Sequence, residues 1–308
     1  MSENVRDMVI IGGGPAGLTA GIYASRARLD AVLLEKGTYG GQVLLTSHIE
    51  NFPGFPGGVA GFEFADLLNK QAQDFGLKIE YRSVEGITSG DKLLTLQTGE
   101  GPILSRTAVI ATGAVPNKLD VPGEETFTGR GVSYCATCDG SLYRDKTVAV
   151  VGGGDAAVEE ALFLTRFASH VHMIHWMDHL QAVPILQEQV LANEKISIRW
   201  NTVLTEIRGD NEVKELALED VNSGEADSLP IDGIFIYIGI SPQVEFVKDL
   251  VKMDKGGSIV TDMRMGTAIP GLYAAGDVRS ESIRQVASAV GDGATAAFYA
   301  YNYLQGNE

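Results

Sequence analysis

Two cysteines occur in the chain, Cys135 and Cys138, and both lie in the stretch GVSYCATCDG. Three chemistries are open to a C-x-x-C pair. It can act as a redox couple, supply half of a tetrahedral metal site, or bury two small apolar thiols. The spacing lowers thiol pKa, and the thiolate is the reactive form of sulfur. Asp139 follows Cys138 directly, which puts a carboxyl within proton-transfer reach of the pair, or alternatively a cap on the following turn. The metal reading draws on His170, His172, His175 and His179, because two cysteines and two histidines would satisfy zinc. However, SHVHMIHW reads as a strand that puts His170 and His172 on one face and His175 on the other. No second C-x-x-C or helical H-x-x-x-H accompanies them in a compact finger spacing, so no metal is expected.

Hydride does not reduce a disulfide directly at useful rates, so a redox pair needs a two-electron carrier such as a flavin. The chain holds two turns of the type that bind dinucleotides. The apolar run Met8 to Ile11 leads into GGGPAG, where Gly12, Gly14 and Gly17 precede the helical stretch LTAGIYASRA, with Pro15 and Ala16 inside the turn. In G-x-G-x-x-G the first glycine permits the tight turn. The second lets backbone approach a pyrophosphate, and the third lets helix pack on strand, with the phosphate at the helix N-terminus. The strand AVLLEK then ends in Glu35 and Lys36, near the offset at which a carboxylate accepts hydrogen bonds from an adenosine ribose. The same grammar recurs at TVAVVGGGDAAVEEALFL, where Gly152, Gly154 and Ala157 follow the strand Thr147 to Val151 and enclose Asp155 and Ala156. Two dinucleotide sites imply a flavin and a nicotinamide.

The elements that carry these turns define the organisation. Pro116 and Pro122 punctuate the chain before the second unit, and the apolar strand IDGIFIYIGI ends in Ser241-Pro242 after it. Beyond lie GLYAAGDV, a strand ending in Gly276-Asp277, and an Ala-rich helical stretch from Ser282 to Tyr303. The expected fold is α/β, with two Rossmann-like three-layer domains, the second inserted into the first. Residues 1–115 and 242–308 form a discontinuous FAD-binding domain, and 116–241 form a nicotinamide-binding domain carrying the C-x-x-C pair. The Pro-marked crossings are short enough to serve as hinges. At 308 residues the chain is long enough for two domains. Its net charge of −16 argues against nucleic acid or anionic lipid as partners. MSENVRDMVIIGGG lacks the cationic and apolar regions of a secretory leader, and no apolar run reaches membrane-spanning length, so a soluble cytoplasmic protein is expected. Two cysteines are too few for a disulfide framework.

The chain resembles the low-molecular-weight thioredoxin reductases over nearly its full length. The resemblance rests on GGGPAG (Gly12 to Gly17), GGQ (Gly40 to Gln42), ENFPGFP (Glu50 to Pro56), ATGA (Ala111 to Ala114), CATC (Cys135 to Cys138), GGGDAA (Gly152 to Ala157), GDV (Gly276 to Val278) and RQVA (Arg284 to Ala287), in that order. It implies a homodimer in which FAD passes electrons from a nicotinamide to the cysteine pair and on to thioredoxin or a similar small dithiol protein. It further implies that Cys138 faces the flavin, Cys135 attacks the partner and Asp139 acts as general acid. Glu35 would hold the adenosine ribose, and Asp277 the ribityl chain or, alternatively, a helix end. Gln42 and Asn51 would approach the flavin, Asn51 being open to a turn role as well. Gly41, Ala111, Thr112, Gly113 and Gly276 would line that site, and Arg284, Gln285, Val286 and Ala287 would lie against or beside the isoalloxazine ring.

One departure concerns the electron donor. Relatives that use NADPH read H-R-R-x-x-x-R after the second strand of the inserted domain, and their arginines neutralise the 2′-phosphate. Here His175 is kept, but Trp176, Met177 and Gln181 stand at the arginine positions. Each lost charge-assisted contact is worth roughly 1.5–3 kcal/mol, so NADPH preference should collapse. The intact GGGDAA favours NADH as donor, with a ferredoxin-type carrier or another reduced flavin-like molecule as alternatives. Trp176 would stack on adenine or pack beneath the domain surface. Two other activities fit the same motifs: a dithiol oxidase that passes electrons to oxygen, and a non-catalytic nucleotide-responsive redox sensor.

Overall fold

The computed structural model describes residues 5–46, 49 and 51–306. The chain folds into two compact units. One holds the described residues up to Leu44, Ile49–Val115 and those from Ser241 onward; the other holds Leu45, Thr46 and Pro116–Ile240.

The first unit opens with β1 (Arg6–Ile11), α1 (Pro15–Arg26) and β2 (Ala31–Glu35). Pro15 sits at the first helical position, where its missing N–H costs nothing. There follow α2 (Gly61–Asp74), β3 (Lys78–Tyr81), β4 (Val84–Ser89), β5 (Leu94–Thr98), β6 (Ile103–Ile110) and β7 (Ala114–Pro116). β1 lies between β2 and β6, with β3 beyond β2, all parallel. β5 and β4 extend the sheet antiparallel from β6. Alternation along β1 explains its continuous apolar sequence. Met8 and Ile10 pack with Leu18 and Ile22 of α1, whereas Val9 and Ile11 pack with Leu94 and Leu96 on the other face.

The second unit runs through α3 (Glu124–Phe127), β8 (Val132–Ser133), α4 (Ala136–Asp139), β9 (Thr147–Val151), α5 (Asp155–Leu164), β10 (His170–Ile174), α6 (Pro184–Leu191) and β11 (Ile196–Arg199). An antiparallel meander follows, β12 (Thr202–Gly209), β13 (Val213–Asp220) and β14 (Ala226–Pro230), and then β15 (Gly233–Ile236). The parallel sheet has the order β11-β10-β9-β15-β8. Val148 and Val150 of β9 pack with Val158 and Leu164 of α5. Ala149 and Val151 face Leu204, Leu216 and Leu229 of the meander. The second unit is thus three-layered, with one outer layer made of strands in place of helices.

The chain returns through β16 (Ile240–Pro242), adds β17 (Leu272–Ala274) beside β6, and ends in α7 (Val286–Gln305). β16 pairs with β7 as a two-stranded ribbon. On its first-unit side, Gln243 N–H donates to the Gly113 carbonyl at 3.0 Å and the Thr112 hydroxyl to the Gln243 carbonyl at 2.6 Å.

Three sequence expectations change at their edges. IDGIFIYIGI is two strands, not one, because Gly239 adopts φ +103° and breaks the extended run. The strand in GLYAAGDV stops at Ala274. The last helix starts at Val286 instead of Ser282, because Arg284 takes φ +54° and Gln285 closes a reciprocal capping box with Ser288.

Candidate active site

In the first unit a cavity of about 750 Å³ opens over the C-terminal ends of the parallel strands. Gly12, Gly14, Pro15, Ala16, Glu35, Lys36, Gly41, Gln42, Ala111, Thr112, Gly113, Gly276 and Asp277 line it, together with Gln243, Val244 and Phe246, which sequence reading did not single out. The shape requires glycine at two positions. A Cβ on Gly12, whose φ is +106°, would stand 2.5 Å from the Ala111 carbonyl oxygen, and one on Gly17 would stand 1.9 Å from that of Gly12. At Gly14, by contrast, a Cβ would meet nothing within 4 Å. The turn is therefore clamped at its base and open at its crest, where α1 begins, which suits a dinucleotide pyrophosphate. Glu35 spans the opening: its Oε2 accepts the Gly13 N–H at 2.7 Å and its Oε1 the Gly37 N–H at 2.8 Å. Burial raises the pKa of Asp277, opposed by a 3.0 Å bond from the Ser282 hydroxyl to its Oδ1. Gln285, not Asp277, caps α7.

Asn51, Arg284, Gln285, Val286 and Ala287 lie outside this lining. Asn51 Nδ2 donates to Gln285 Oε1 at 3.0 Å, at the start of α7. Glu50 of the ENFPGFP motif falls outside the described residues.

We expect Gly17→Ala to cost about 2 kcal/mol or more, because its methyl is driven into backbone that has no room to move. Chemical denaturation and the flavin absorbance of the purified protein check this; a variant as stable and as yellow as the wild type would contradict it.

In the second unit Cys135 and Cys138 form a disulfide with a Cα–Cα separation of 5.3 Å. Cys135 precedes α4 as its N-cap, and the N–H groups of Cys138 and Asp139 both donate to the Cys135 carbonyl. Parallel pairing explains what surrounds them. β8 and β15 align with Ser133 opposite Phe235, so the chain two residues further along each strand places Cys135 level with Tyr237. The Ala136 N–H donates to the Tyr237 phenol oxygen at 2.6 Å. The Ser133 hydroxyl accepts the Cys135 N–H at 3.1 Å and donates to Asp139 Oδ2 at 2.7 Å. Asp139 Oδ1 is buried with no hydrogen-bond partner among the described residues, and burial raises the pKa of the carboxyl, the Ser133 bond opposing it. The Asp139 side chain makes no capping bond. Ser133 and Tyr237 carry no motif of their own; only the register of two strands far apart in sequence brings them here.

The second glycine turn repeats the first. A Cβ on Gly152 would lie 2.3 Å from the Tyr237 carbonyl oxygen, while the Gly154 position is open. Asp155 Oδ1 accepts the Val183 N–H at 2.7 Å, and Gln181 and Ala182 donate to the Gly153 carbonyl, which laces the segment after β10 to the turn. Ala156 is exposed and Ala157 is buried against the strand. The His175 ring lies under the turn; a Cβ on Gly153 would come within 2.4 Å of it. It is 2% exposed, neither ring nitrogen has a partner among the described residues, and burial lowers its pKa, so the imidazole is neutral near pH 7. Trp176 is 56% exposed and packs under nothing.

His170 and His172 share one strand face, 4.6 Å apart by ring centroid, and both bond to the Ser197 hydroxyl. Among the described residues no three His, Cys, Asp or Glu side chains gather as a metal site, and no helix is long and apolar enough to cross a membrane.

Two glycine cradles and a C-x-x-C disulfide are the features of an FAD-dependent oxidoreductase, and the chain's relatives bear that class out. The chain belongs to the pyridine nucleotide-disulphide oxidoreductase family, whose pattern it matches over residues 6–293. It is 45% identical to a thioredoxin reductase of Treponema pallidum over 302 residues, covering 98% of each chain. A thioredoxin reductase of Bacillus subtilis is 41% identical over 304 residues, 98% of this chain and 96% of its own. Among solved structures, the thioredoxin reductase from Streptococcus pyogenes superposes with a TM-score of 0.95 at 43% identity, over 99% of this chain and all of that one.

Proposed function

We propose that the protein is a homodimeric thioredoxin reductase that takes electrons from NADH in preference to NADPH. The observation that carries the reading is the Cys135–Cys138 disulfide next to a buried carboxyl, in the same unit as an open-crested dinucleotide turn. The relatives' names, the cradle in the first unit and the missing arginines at positions 176, 177 and 181 support the rest.

In this reading the Gly12–Gly17 turn and Glu35 hold FAD, which when bound supplies a two-electron relay between nicotinamide and sulfur. Gly152, Gly154 and the start of α5 hold the nucleotide pyrophosphate, and Trp176 offers its exposed face to adenine. Asp139, whose carboxyl pKa burial raises, provides a proton at the cysteine pair as the S–S bond breaks, while Ser133 orients its carboxyl. Cys135 attacks the partner disulfide.

Anaerobic titration of the FAD-loaded protein with NADH, NADPH and reduced ferredoxin, followed by addition of oxidised thioredoxin, tests the reading. NADH should bleach the flavin fastest and thioredoxin thiols should then appear. Bleaching by ferredoxin alone would overturn the donor assignment. Oxygen uptake with small dithiols but no thioredoxin reduction would identify a dithiol oxidase.

A further inference from the structure

The proposed chemistry leaves unused a part-buried acid of the second unit whose carboxyl is not fully satisfied. Glu160 lies on α5, and its Oε2 is buried without a hydrogen-bond partner among the described residues. Its surroundings lead to the cysteines on two sides. Glu160 and Thr137, the residue between the cysteines, line one surface hollow of about 360 Å³. On the other side its charge acts on Tyr237, whose phenol oxygen accepts the Ala136 N–H where the cysteine helix begins.

We propose that Glu160 is a positioning residue that exchanges a proton with solvent beside the Cys135–Cys138 pair and, through its charge, sets how readily the reduced cysteines become thiolates. This rests on reading the pair as the redox centre. Cleaving the disulfide takes two electrons, supplied by the bound flavin, and two protons, and gives two thiols; each later thiolate must release its proton again. With Glu160 ionised, a second negative charge nearby opposes that release, and with Glu160 protonated the opposition vanishes.

The groups facing this carboxyl are few. Glu159 precedes it on α5 and Arg166 borders the same hollow. Tyr237 stands at the end of β15, with Asp139 of α4 acting on that phenol as well. From α6 the hollow receives Leu186 and Gln189, which carry no charge, and β10 turns Val171 and Met173 toward α5. Burial first, and then the Glu159 charge, raise the Glu160 pKa to about 7, so it changes charge in the range where thiolates form.

Alkylation by iodoacetamide tests the proposal without thioredoxin or nucleotide. Full-length FAD-loaded protein, reduced anaerobically, is alkylated across a pH series, with mass spectrometry assigning Cys135 and Cys138. Glu160→Gln should match the wild type below about pH 6, where both side chains are neutral. Above about pH 8 it should react roughly threefold faster or more, because the opposing charge is gone. Profiles that coincide throughout, or differ by one constant factor, would overturn the proposal. So would an equal pH-dependent gap in Glu159→Gln, which removes an exposed charge instead. Glu160→Asp, which keeps the charge, should follow the wild-type profile, and a Gln-like profile there would also count against it. Absence of any alkylatable pair after reduction would instead refute the redox-centre reading on which the proposal stands.

Discussion

Cys138→Ser is expected to lower thioredoxin reduction by roughly a thousandfold or more, the scale on which loss of a reacting nucleophile acts. Reductive bleaching of the flavin by the donor should continue at close to the wild-type rate. The asymmetry follows from the proposed electron order, in which the cysteine pair acts after the flavin has been reduced; the contacts of the pair, Ser133, Thr137, Asp139 and the Tyr237 phenol through Ala136, belong to the second unit. Serine fits the sulfur site closely, so folding and FAD content should be retained and need only be confirmed. Stopped-flow absorbance with NADH alone, set beside steady-state turnover with thioredoxin, separates the two half-reactions. Equal loss of both, in protein that keeps its flavin, would show that the cysteine takes part before or during flavin reduction.

The second large effect concerns the donor. Wild-type kcat/KM should be much higher with NADH than with NADPH, and Trp176→Arg combined with Met177→Arg should reverse part of the difference. Each guanidinium facing a 2′-phosphate contributes on the order of 1.5 kcal/mol or more, so the pair should move the ratio by roughly a hundredfold if the contributions nearly add. Exposure of Trp176 favours the test, since an arginine there displaces no core packing. Met177 is half-buried, so its substitution carries the larger structural risk. The ratio of the two kcat/KM values is the quantity to read, because damage to the fold lowers both together. Equal wild-type rates with the two nucleotides would refute the charge explanation.

Both glycine turns were legible in the sequence because their pattern is local, although the backbone that closes on Gly12 and Gly152 comes from Ala111 and Tyr237, far along the chain. A strand, a glycine turn and a helix follow one another within a short stretch, and close backbone approach leaves glycine as the residue that fits at Gly12 and Gly17. The split of IDGIFIYIGI was not legible. Apolar side chains continue through the break, and only the positive φ of Gly239 interrupts the strand. The start of α7 was misplaced for a related reason. Its cap is the side chain of Gln285, a residue type outside the common N-cap set, and Ser288 completes the box from inside the helix. The environment of the cysteines was hidden more deeply, since Tyr237 reaches Ala136 from 101 residues away, through the register of β8 and β15. Glu160 gave no signal either: within VEEALFL it reads as one more acid on a helix surface, and its burial depends on what packs above it.

The ribbon of β7 and β16 bears on how such a chain can be assembled and rearranged. Departure and return of the second unit occupy neighbouring strands, so its two ends emerge about 5 Å apart. A break that narrow can be closed by an ordinary hairpin turn, and all the residues lining the first-unit cavity lie outside the intervening stretch. In terms of connectivity the second unit is a cassette, with a single narrow port through which one module can be removed, or another spliced in, while the host sheet keeps its strand order.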